Sequence, residues 1–327
     1  MKHLLLLPLL ALALHMQAQR VTNVTAEQQG QELLIHYHLE AEGPVEVLLY
    51  LSTDRGSRWE GPLKSCSGDV GPNVAPGTDK RIRWEVLKDR ELVGDGIAFK
   101  VVAKGGVKKD WLNPALTYGS VTDIDGNTYA TIQIGKQVWM AENLRTTRYR
   151  NGDPIPNVKG DDQWTGLRTG AWAHYENDPK YEVPYSKVYN WYTVKDPRKV
   201  CPAGWHVPTD GEWQQMEAAL GMPTVELGQE GYRGAAQNVG GEMKASTLWN
   251  SPHTGANNQS GFSGLPGGGR NANNRDFSNL GYNGYWWSAS ESGAELAWHR
   301  SLYNANAAIS RNYSGKRNGF SVRCLRD

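Results

Sequence analysis

The stretch CPAGWHVPTDGEWQQMEAAL, residues 201–220, decides how the second half of the chain folds, because it specifies a helix and both of its ends. Thr209 is a strong N-cap, and Glu212 three residues later completes a capping box. Pro208 disfavours helix upstream of the cap, and Gly221 supplies a left-handed stop. We therefore predict a single helix that begins after Thr209 and ends before Gly221.

Helical spacing also predicts which side of this helix faces the core. Trp213, Met216 and Leu220 fall on one stripe, so we expect that stripe to pack against the protein interior. The same spacing places three polar residues on the outer side: Gln214, Gln215 and Glu217.

The three cysteines predict one disulfide bond. Cys201 has one plausible partner in its half of the chain, Cys324, and a bond between them would tie the helix entrance to the last strand. Cys66 lies in a loop without an evident partner, so we expect a free thiol.

Composition indicates an exported, strand-rich protein. The chain has 327 residues, enough for two domains of ordinary size, and its net charge of +1 gives no reason to expect nucleic acid as a partner. Aromatic content comes from 13 Trp and 15 Tyr but only 4 Phe, and Gly is abundant at 37 residues. Rings with a polar group and frequent glycine favour surfaces, turns and strands over a helical enzyme.

Residues 1–18 have the pattern of a secretory signal peptide: a basic start, a short leucine-rich run and small residues before Gln19. The apolar run is too short for a membrane-spanning helix, and no later stretch is apolar enough. We expect a protein that is exported to the periplasm, the outer surface or the medium.

Residues 19–104 alternate apolar and polar positions in short runs, which predicts an all-β sandwich. His36 and His38 share one strand face there. We expect both on the strand surface rather than at a metal, because no third ligand lies at the spacing of a metal site.

Within the sandwich, residues 52–59 match the S-x-D-x-G-x-x-W hairpin called an Asp-box. In families that carry it the hairpin is a structural turn. The resemblance implies that Asp54 bonds the backbone and that Trp59 packs beneath, and turn chemistry alone explains the Asp and Gly.

A linker is expected at residues 105–117, where glycine, lysine and proline interrupt the alternation. The domain that follows, residues 118–327, opens with a β-meander. Asp123 to Asn127 is similar to the start of a calcium loop, but the twelfth position is Ile134 instead of Glu, so we predict a hairpin turn there.

Two stretches leave alternatives open. Residues 171–194 are dense in Trp and Tyr, which either stack a sugar or fill a core poor in Phe. Residues 257–283 are rich in Asn and Gly and predict a long irregular loop, which either carries function or is simply disordered.

Residues of about 118–327 resemble the major paralogous domain family first named in Fibrobacter succinogenes. Six blocks carry the resemblance in the family's order: DIDGNTYATIQIGKQVWMAENLR, YNWYTV, CPAGWHVPTDGEW, SGFSGLPGGGR, YWWSAS and GFSVRC. The resemblance implies an α+β domain with a C-type-lectin-like fold, and VPTDGEW is similar to the helix start of formylglycine-generating enzymes, which share that fold. It also implies an exported domain that binds at the cell surface, and such domains often follow an immunoglobulin-like β-sandwich.

These observations predict a non-catalytic recognition or adhesion protein of the bacterial cell surface that binds a glycan or a surface protein. We expect no cofactor and no metal, and the sequence does not indicate an oligomeric state. The alternatives are a structural envelope protein and an enzyme of the formylglycine-generating type. That enzyme chemistry uses a pair of cysteines or a copper site built from them, whereas a Cys201–Cys324 disulfide would occupy both cysteines of the domain.

If a ligand site exists, we expect it on the loop of residues 257–283 and the strand after it. The amide and guanidinium groups would hydrogen-bond the ligand, and two aromatic residues that alternate on one strand face would stack on it. The predicted ligand contacts are Asn257, Asn258, Arg270, Asn273, Asn274, Tyr285 and Trp287. The alternative is that Gly267 to Arg270 only makes a turn and that Trp286 or Trp287 points into the core.

Overall fold

The computed structural model describes residues 20–41, 45–92, 96–104 and 109–327. The chain divides into two compact units between Lys108 and Lys109. The predicted signal peptide, residues 1–18, lies outside the described residues. In both units more residues lie in strands than in helices, so the predicted β-rich class is confirmed.

The first unit consists of two antiparallel sheets. One has the strand order β1, β2, β6, β4, and the other has the order β5, β3, β7. The elements are β1 (Arg20–Gln29), β2 (Glu32–Glu40), β3 (Val45–Ser52), β4 (Cys66–Gly68), β5 (Gly71–Val74), β6 (Gly77–Trp84), α1 (Val86–Asp89) and β7 (Ala98–Lys104).

Alternation along β2 and β3 builds the core of the first unit. Every second residue of each strand is buried, and both sheets contribute to one hydrophobic cluster. His36 and His38 lie on the other face of β2, where they contact Glu27 at 3.6 Å and Asn23 at 3.0 Å. The prediction that both histidines are strand-surface residues is confirmed.

The Asp-box forms the expected turn. Asp54 Oδ1 accepts a hydrogen bond from the Arg58 amide at 2.8 Å, and Ser52 Oγ accepts one from the Gly56 amide at 2.8 Å. Trp59 differs from the expectation, since its side chain is 37% exposed and Lys100 Nζ lies 5.4 Å from its ring centroid. The turn is therefore held by its own polar groups rather than by a buried tryptophan.

Cys66 carries a free thiol, as predicted, and the side chain is half-buried. The residue begins strand β4 instead of lying in a loop, because it pairs with Trp84 of β6. Burial and the neighbouring Asp89 carboxylate raise the pKa of the Cys66 thiol to about 11. The thiol is therefore protonated and unreactive at neutral pH.

The second unit is built on a five-stranded sheet of order β13, β20, β10, β9, β8 and a six-stranded sheet of order β14, β19, β18, β17, β15, β16. Its strands are β8 (Gly119–Thr122), β9 (Thr128–Ile134), β10 (Gln137–Met140), β11 (Trp172–Ala173), β12 (Val188–Tyr189), β13 (Trp205–His206), β14 (Gly231–Arg233), β15 (Gly267–Asn271), β16 (Asp276–Leu280), β17 (Asn283–Glu291), β18 (Leu296–Tyr303), β19 (Ile309–Gly315) and β20 (Leu325–Arg326). Its helices are α2 (Asp161–Thr165), α3 (Glu182–Tyr185), α4 (Trp191–Lys195), α5 (Asp210–Ala219), α6 (Thr224–Leu227) and α7 (Val239–Met243), with short 3-10 turns at Tyr175–Asn177 and Pro179–Tyr181.

Part of the predicted linker belongs to the second unit. Residues 109–117 belong to the second unit, where Trp111 is buried beside Ala245 and Leu265. Leu112 and Leu116 pack against the main core of the unit. The glycine, lysine and proline residues do mark a break in the strand pattern. The apolar side chains of residues 109–117, however, pack into the second unit.

The Asp123 turn joins β8 to β9, as predicted. Asp123 Oδ1 accepts hydrogen bonds from the amides of Asp125 and Asn127, both at 2.9 Å, and Oδ2 accepts one from the Tyr129 hydroxyl at 2.5 Å. The carboxylate is therefore used by the hairpin itself.

Helix α5 has the predicted capping box. Thr209 Oγ1 accepts from the Glu212 amide at 3.3 Å, while Glu212 Oε2 accepts from the Thr209 amide at 2.7 Å. Trp213 and Met216 are fully buried, and Leu220 packs against the same core. The expected core stripe is confirmed.

Glu217 corrects the prediction for the outer side of α5, because its side chain is fully buried. The carboxylate accepts hydrogen bonds from Arg233 at 2.9 and 3.1 Å and from Arg300 Nε at 2.5 Å. Two turns earlier, Asp210 accepts from Arg300 and Arg311. Burial alone would raise the pKa of Asp210, but these two guanidinium groups lower it.

The Cys201–Cys324 disulfide is present, and it closes a loop of 123 residues in sequence separation. β13 follows Cys201, β20 follows Cys324, and the two strands pair directly through His206 and Leu325. The bond therefore joins the entrance of α5 to the last strand, as predicted.

Candidate functional site

The six-stranded sheet presents one face on which three tyrosines surround neutral polar side chains. Residues alternate between the two faces of a strand, so the register of the sheet identifies the members of this face. Facing the other way, Trp286, Leu302 and Ile309 enter the core. We call the opposite surface the tyrosine face and define it by Tyr232, Tyr285, Tyr303, Asn283, Ser301 and Ser310.

Four strands align the members of the tyrosine face. Tyr285 of β17 pairs with Ser301 of β18, Ser301 pairs with Ser310 of β19, and Ser310 pairs with Tyr232 of β14. Adjacent strands lie about 4.8 Å apart, so this row spans about 14 Å. One step along the strands, Asn283 pairs with Tyr303.

Two exposed tyrosine rings of this face flank serine hydroxyls that have no partner among the described residues. The side chains of Tyr232 and Tyr303 are 57% and 36% exposed. Ser301 and Ser310 are only 8% and 6% exposed, and within the described part of the chain their hydroxyls make no hydrogen bond to another residue. Tyr285 is half-buried, its hydroxyl accepts a hydrogen bond from Asn279 at 3.1 Å, and burial raises its pKa. All defining side chains are therefore neutral at ordinary pH, and each offers a ring or a hydrogen-bonding group.

An aromatic cluster covers the end of the tyrosine face where Tyr285 adjoins Trp287. Phe320 stacks on Tyr285 with ring centroids 4.8 Å apart, and it contacts Trp287 at 4.5 Å and His299 at 5.0 Å. Burial and the positive charge of Arg300 lower the pKa of His299 to about 3, so its ring is neutral. The Tyr285 ring is therefore held in place by neutral rings.

Three of the seven predicted ligand contacts are buried. Trp287 is fully buried and donates to the Tyr189 carbonyl at 2.8 Å. Asn258 donates to the carbonyl of Trp111 and to Ser263. In this structure the polar atoms of these side chains are used inside the protein, so they are not available to a ligand.

Arg270 is the third buried residue of that prediction. Its guanidinium donates to the carbonyls of Val158 at 2.7 Å and Lys159 at 2.9 Å, and to Asp161 Oδ1 at 2.7 Å. The group lies 4.4 Å from the centroid of the Trp164 ring. Arg270 therefore links β15 to residues 158–161, which are distant from it in sequence.

The other four predicted contacts are accessible but separated. Asn257 caps its own turn by accepting from the Gln259 amide, and Asn273 and Asn274 lie in the turn between β15 and β16. These two strands occupy much of the stretch expected to be an irregular loop. Only Tyr285 belongs to the tyrosine face.

The tyrosine-rich stretch of residues 171–194 contributes mainly to the core. Tyr189 and Trp191 are buried, and they donate to the carbonyls of Thr146 at 2.7 Å and Ser288 at 2.8 Å. The packing alternative is the one that these residues follow.

Sequence reasoning missed Tyr232, Tyr303, Ser301 and Ser310. Alternation in SLY would have placed Ser301 and Tyr303 on one strand face. Nothing local indicates that Ser310 and Tyr232 lie beside them, because that arrangement depends on the pairing of β18, β19 and β14.

Neither a metal centre nor a membrane helix is evident in residues 20–41, 45–92, 96–104 and 109–327. Within these ranges, no group of three or more His, Cys, Asp or Glu side chains is arranged to hold a metal ion. In the same ranges, no helix combines the length and apolar character needed to cross a membrane.

Comparison with known proteins gives one match. Residues 132–326, more than half of the chain, match the family described as the Fibrobacter succinogenes major domain. No curated protein and no solved structure matches the chain.

Proposed function

The chain belongs to the Fibrobacter succinogenes major domain family, and we propose that it is an exported, non-catalytic recognition or adhesion protein of the bacterial cell surface. Its ligand is a neutral glycan of the envelope or of a neighbouring surface. The tyrosine face, rather than the loop of residues 257–283, makes the contact.

The observation that carries this proposal is the row that runs from Tyr285 through Ser301 and Ser310 to Tyr232. Sugars present apolar C–H faces and many hydroxyls, and tyrosine offers both a ring for the former and a hydroxyl for the latter. Serine hydroxyls between the rings both donate and accept hydrogen bonds. A row of about 14 Å is long enough to contact a short oligosaccharide.

The absence of charge among the defining side chains of this face selects the ligand class. A phosphorylated or sulfated polymer would be expected to meet arginine or lysine. Arg233, Arg300 and Arg311 each follow or precede a residue of the row in sequence. All three point to the opposite side of the sheet, where the carboxylates of Glu217 and Asp210 bind them. A neutral polyhydroxyl chain therefore fits better than an anionic one.

Export is supported by the signal-peptide pattern of residues 1–18 and by the Cys201–Cys324 disulfide, because such bonds persist in oxidising compartments. We further propose that the two-sheet first unit is an immunoglobulin-like sandwich and that the second unit has the C-type-lectin-like fold. The first assignment is supported by the two sheets of the first unit, which enclose one hydrophobic core. The second is supported by the mixture of strands and helices in the second unit.

A glycan array and purified envelope polysaccharides, probed with the exported chain from Gln19, test the proposal. We expect saturable binding to neutral glycans, unchanged by EDTA. The double variant Tyr232→Ser/Tyr303→Ser should lose most of the binding, because stacking is removed while hydroxyls are retained.

Tyr313→Ser is the matched control, since Tyr313 is 42% exposed and lies on the opposite face of the same sheet. Binding that survives the double variant, or binding to anionic glycans alone, would refute the assignment of the tyrosine face. Retention of a single envelope protein, unaffected by the tyrosine changes, would favour a surface-protein partner instead.

A further inference from the structure

Lys244 lies directly after α7, and its side chain is fully buried. The ammonium donates to three backbone carbonyls: Thr254 at 2.6 Å, Asn306 at 2.8 Å and Tyr303 at 3.1 Å. A lysine ammonium has three N–H donors, so all of them are satisfied by the protein backbone.

No carboxylate pairs with Lys244 in the described part of the chain. The nearest aromatic group is Trp249, with its ring centroid 5.5 Å from Nζ. A buried charge without an ion pair is costly unless polar groups replace the lost water. The three carbonyl dipoles supply that replacement, in the manner in which carbonyl oxygens replace the hydration shell of a bound cation.

The carbonyls come from two loops that are joined in other ways as well. Asn304 Nδ2 donates to the carbonyls of Asn250 at 3.1 Å and Ser251 at 2.9 Å, and the Thr254 amide donates to the Asn304 carbonyl at 2.6 Å. The ammonium therefore lies where residues 250–254 and residues 303–306 converge.

We infer that these two loops form a backbone cation site and that the Lys244 ammonium is the cation that fills it. Because one carbonyl belongs to Tyr303, the same site fixes the outer end of β18.

The inference predicts chemical rescue. In Lys244→Ala the missing atoms correspond to propylammonium, so the emptied cage should accept that ion. We expect the variant to lose at least about 5 °C in Tm, and propylammonium chloride to restore a large part of it in a saturable manner. Tetramethylammonium chloride, which has no N–H group, should restore nothing beyond its effect on the wild type.

Lys244→Met is the matched control, because it fills the same volume with an apolar side chain. It should be destabilised and insensitive to propylammonium. If Lys244→Ala does not fold in plain buffer, its refolding yield with propylammonium, compared with tetramethylammonium, gives the same answer. A Lys244→Met variant as stable as the wild type, or a Lys244→Ala variant that responds equally to both ions, would overturn the inference. Stability is the readout, so the result does not depend on any glycan binding.

Discussion

Replacement of Glu217 by Gln tests the view that α5 is held by a buried ionic network rather than by its apolar stripe alone. The wild-type carboxylate is fully buried and accepts from Arg233 at 2.9 and 3.1 Å and from Arg300 at 2.5 Å. A glutamine keeps the shape, but it removes the charge and points an NH2 group at a guanidinium.

The cost follows from what remains around the two arginines. Arg300 keeps Asp210, whereas Arg233 keeps only the Leu227 carbonyl at 2.7 Å and Met222 sulfur at 3.6 Å. Leaving one buried cation without its partner costs about 3 to 5 kcal/mol. For a unit of this size a loss of about 4 kcal/mol lowers Tm by about 8 to 16 °C.

Urea unfolding followed by tryptophan fluorescence measures the change, together with a thermal scan. Gln215→Ala is the control, because Gln215 is exposed on the same helix and should shift stability by less than about 0.5 kcal/mol. If Glu217→Gln unfolds at the same urea concentration as the wild type, the network does not stabilise the unit and the reasoning fails.

Three further predictions concern other parts of the second unit. Cys201→Ser, which removes a bond of sequence separation 123, should cost about 3 to 5 kcal/mol in urea unfolding, and an unchanged midpoint would contradict this. Burial lowers the pKa of His206, but hydrogen bonds to Asp327 and Glu212 raise it overall. Protonated His206 should therefore stabilise the folded unit by about 0.5 kcal/mol below pH 6.5, and this contribution should disappear as pH rises through the raised pKa. His206→Gln should abolish this pH dependence of the urea midpoint between pH 5 and 8. A pH dependence that persists in the variant would show that His206 is not its source. Arg270→Ala should lower Tm by several degrees, because it removes the hydrogen bonds of a buried guanidinium to the carbonyls of Val158 and Lys159. A variant with wild-type Tm but weaker glycan binding would instead restore the sequence-based view of Arg270 as a ligand contact.

The start of α5 was predictable because its determinants are local. A capping box involves residues three apart, and Thr209 with Glu212 leaves little freedom for other structures. The disulfide was predictable for a similar reason, since Cys201 had only one candidate partner in its half of the chain.

Glu217 was not predictable from helical periodicity. A glutamate normally lies outside, and the rule fails here because two arginines from separate strands, Arg233 of β14 and Arg300 of β18, converge on it. Their arrival depends on sheet register, which no pattern within the helix contains.

The candidate site was only partly predictable, for the same reason. Alternation identified Tyr285 correctly, but the same alternation predicted that Trp287, two residues later, would also be exposed. Phe320 covers that end of the face, so Trp287 is buried while Tyr285 is only half covered. The exposed partners Tyr232 and Tyr303 come from other strands, and only the assembled sheet brings them together.

The glycine-rich stretch before β17 shows how composition alone can mislead. Gly267–Asn271 forms a strand that pairs with β16 and touches β17 at Gly284. A Cβ at Gly284 would lie 2.4 Å from the Leu265 carbonyl, so glycine here permits close packing of backbones rather than flexibility. An irregular ligand loop was expected where the protein has a tightly packed sheet edge.

Hydroxyl-radical footprinting of the wild-type protein, with and without its best-binding neutral glycan, tests the central claim most directly. Tyr232 and Tyr303 should be protected from oxidation by the glycan, while Tyr313 on the opposite face should be oxidised equally in both samples. Protection of Tyr313, with Tyr232 and Tyr303 unchanged, would contradict recognition through the tyrosine face.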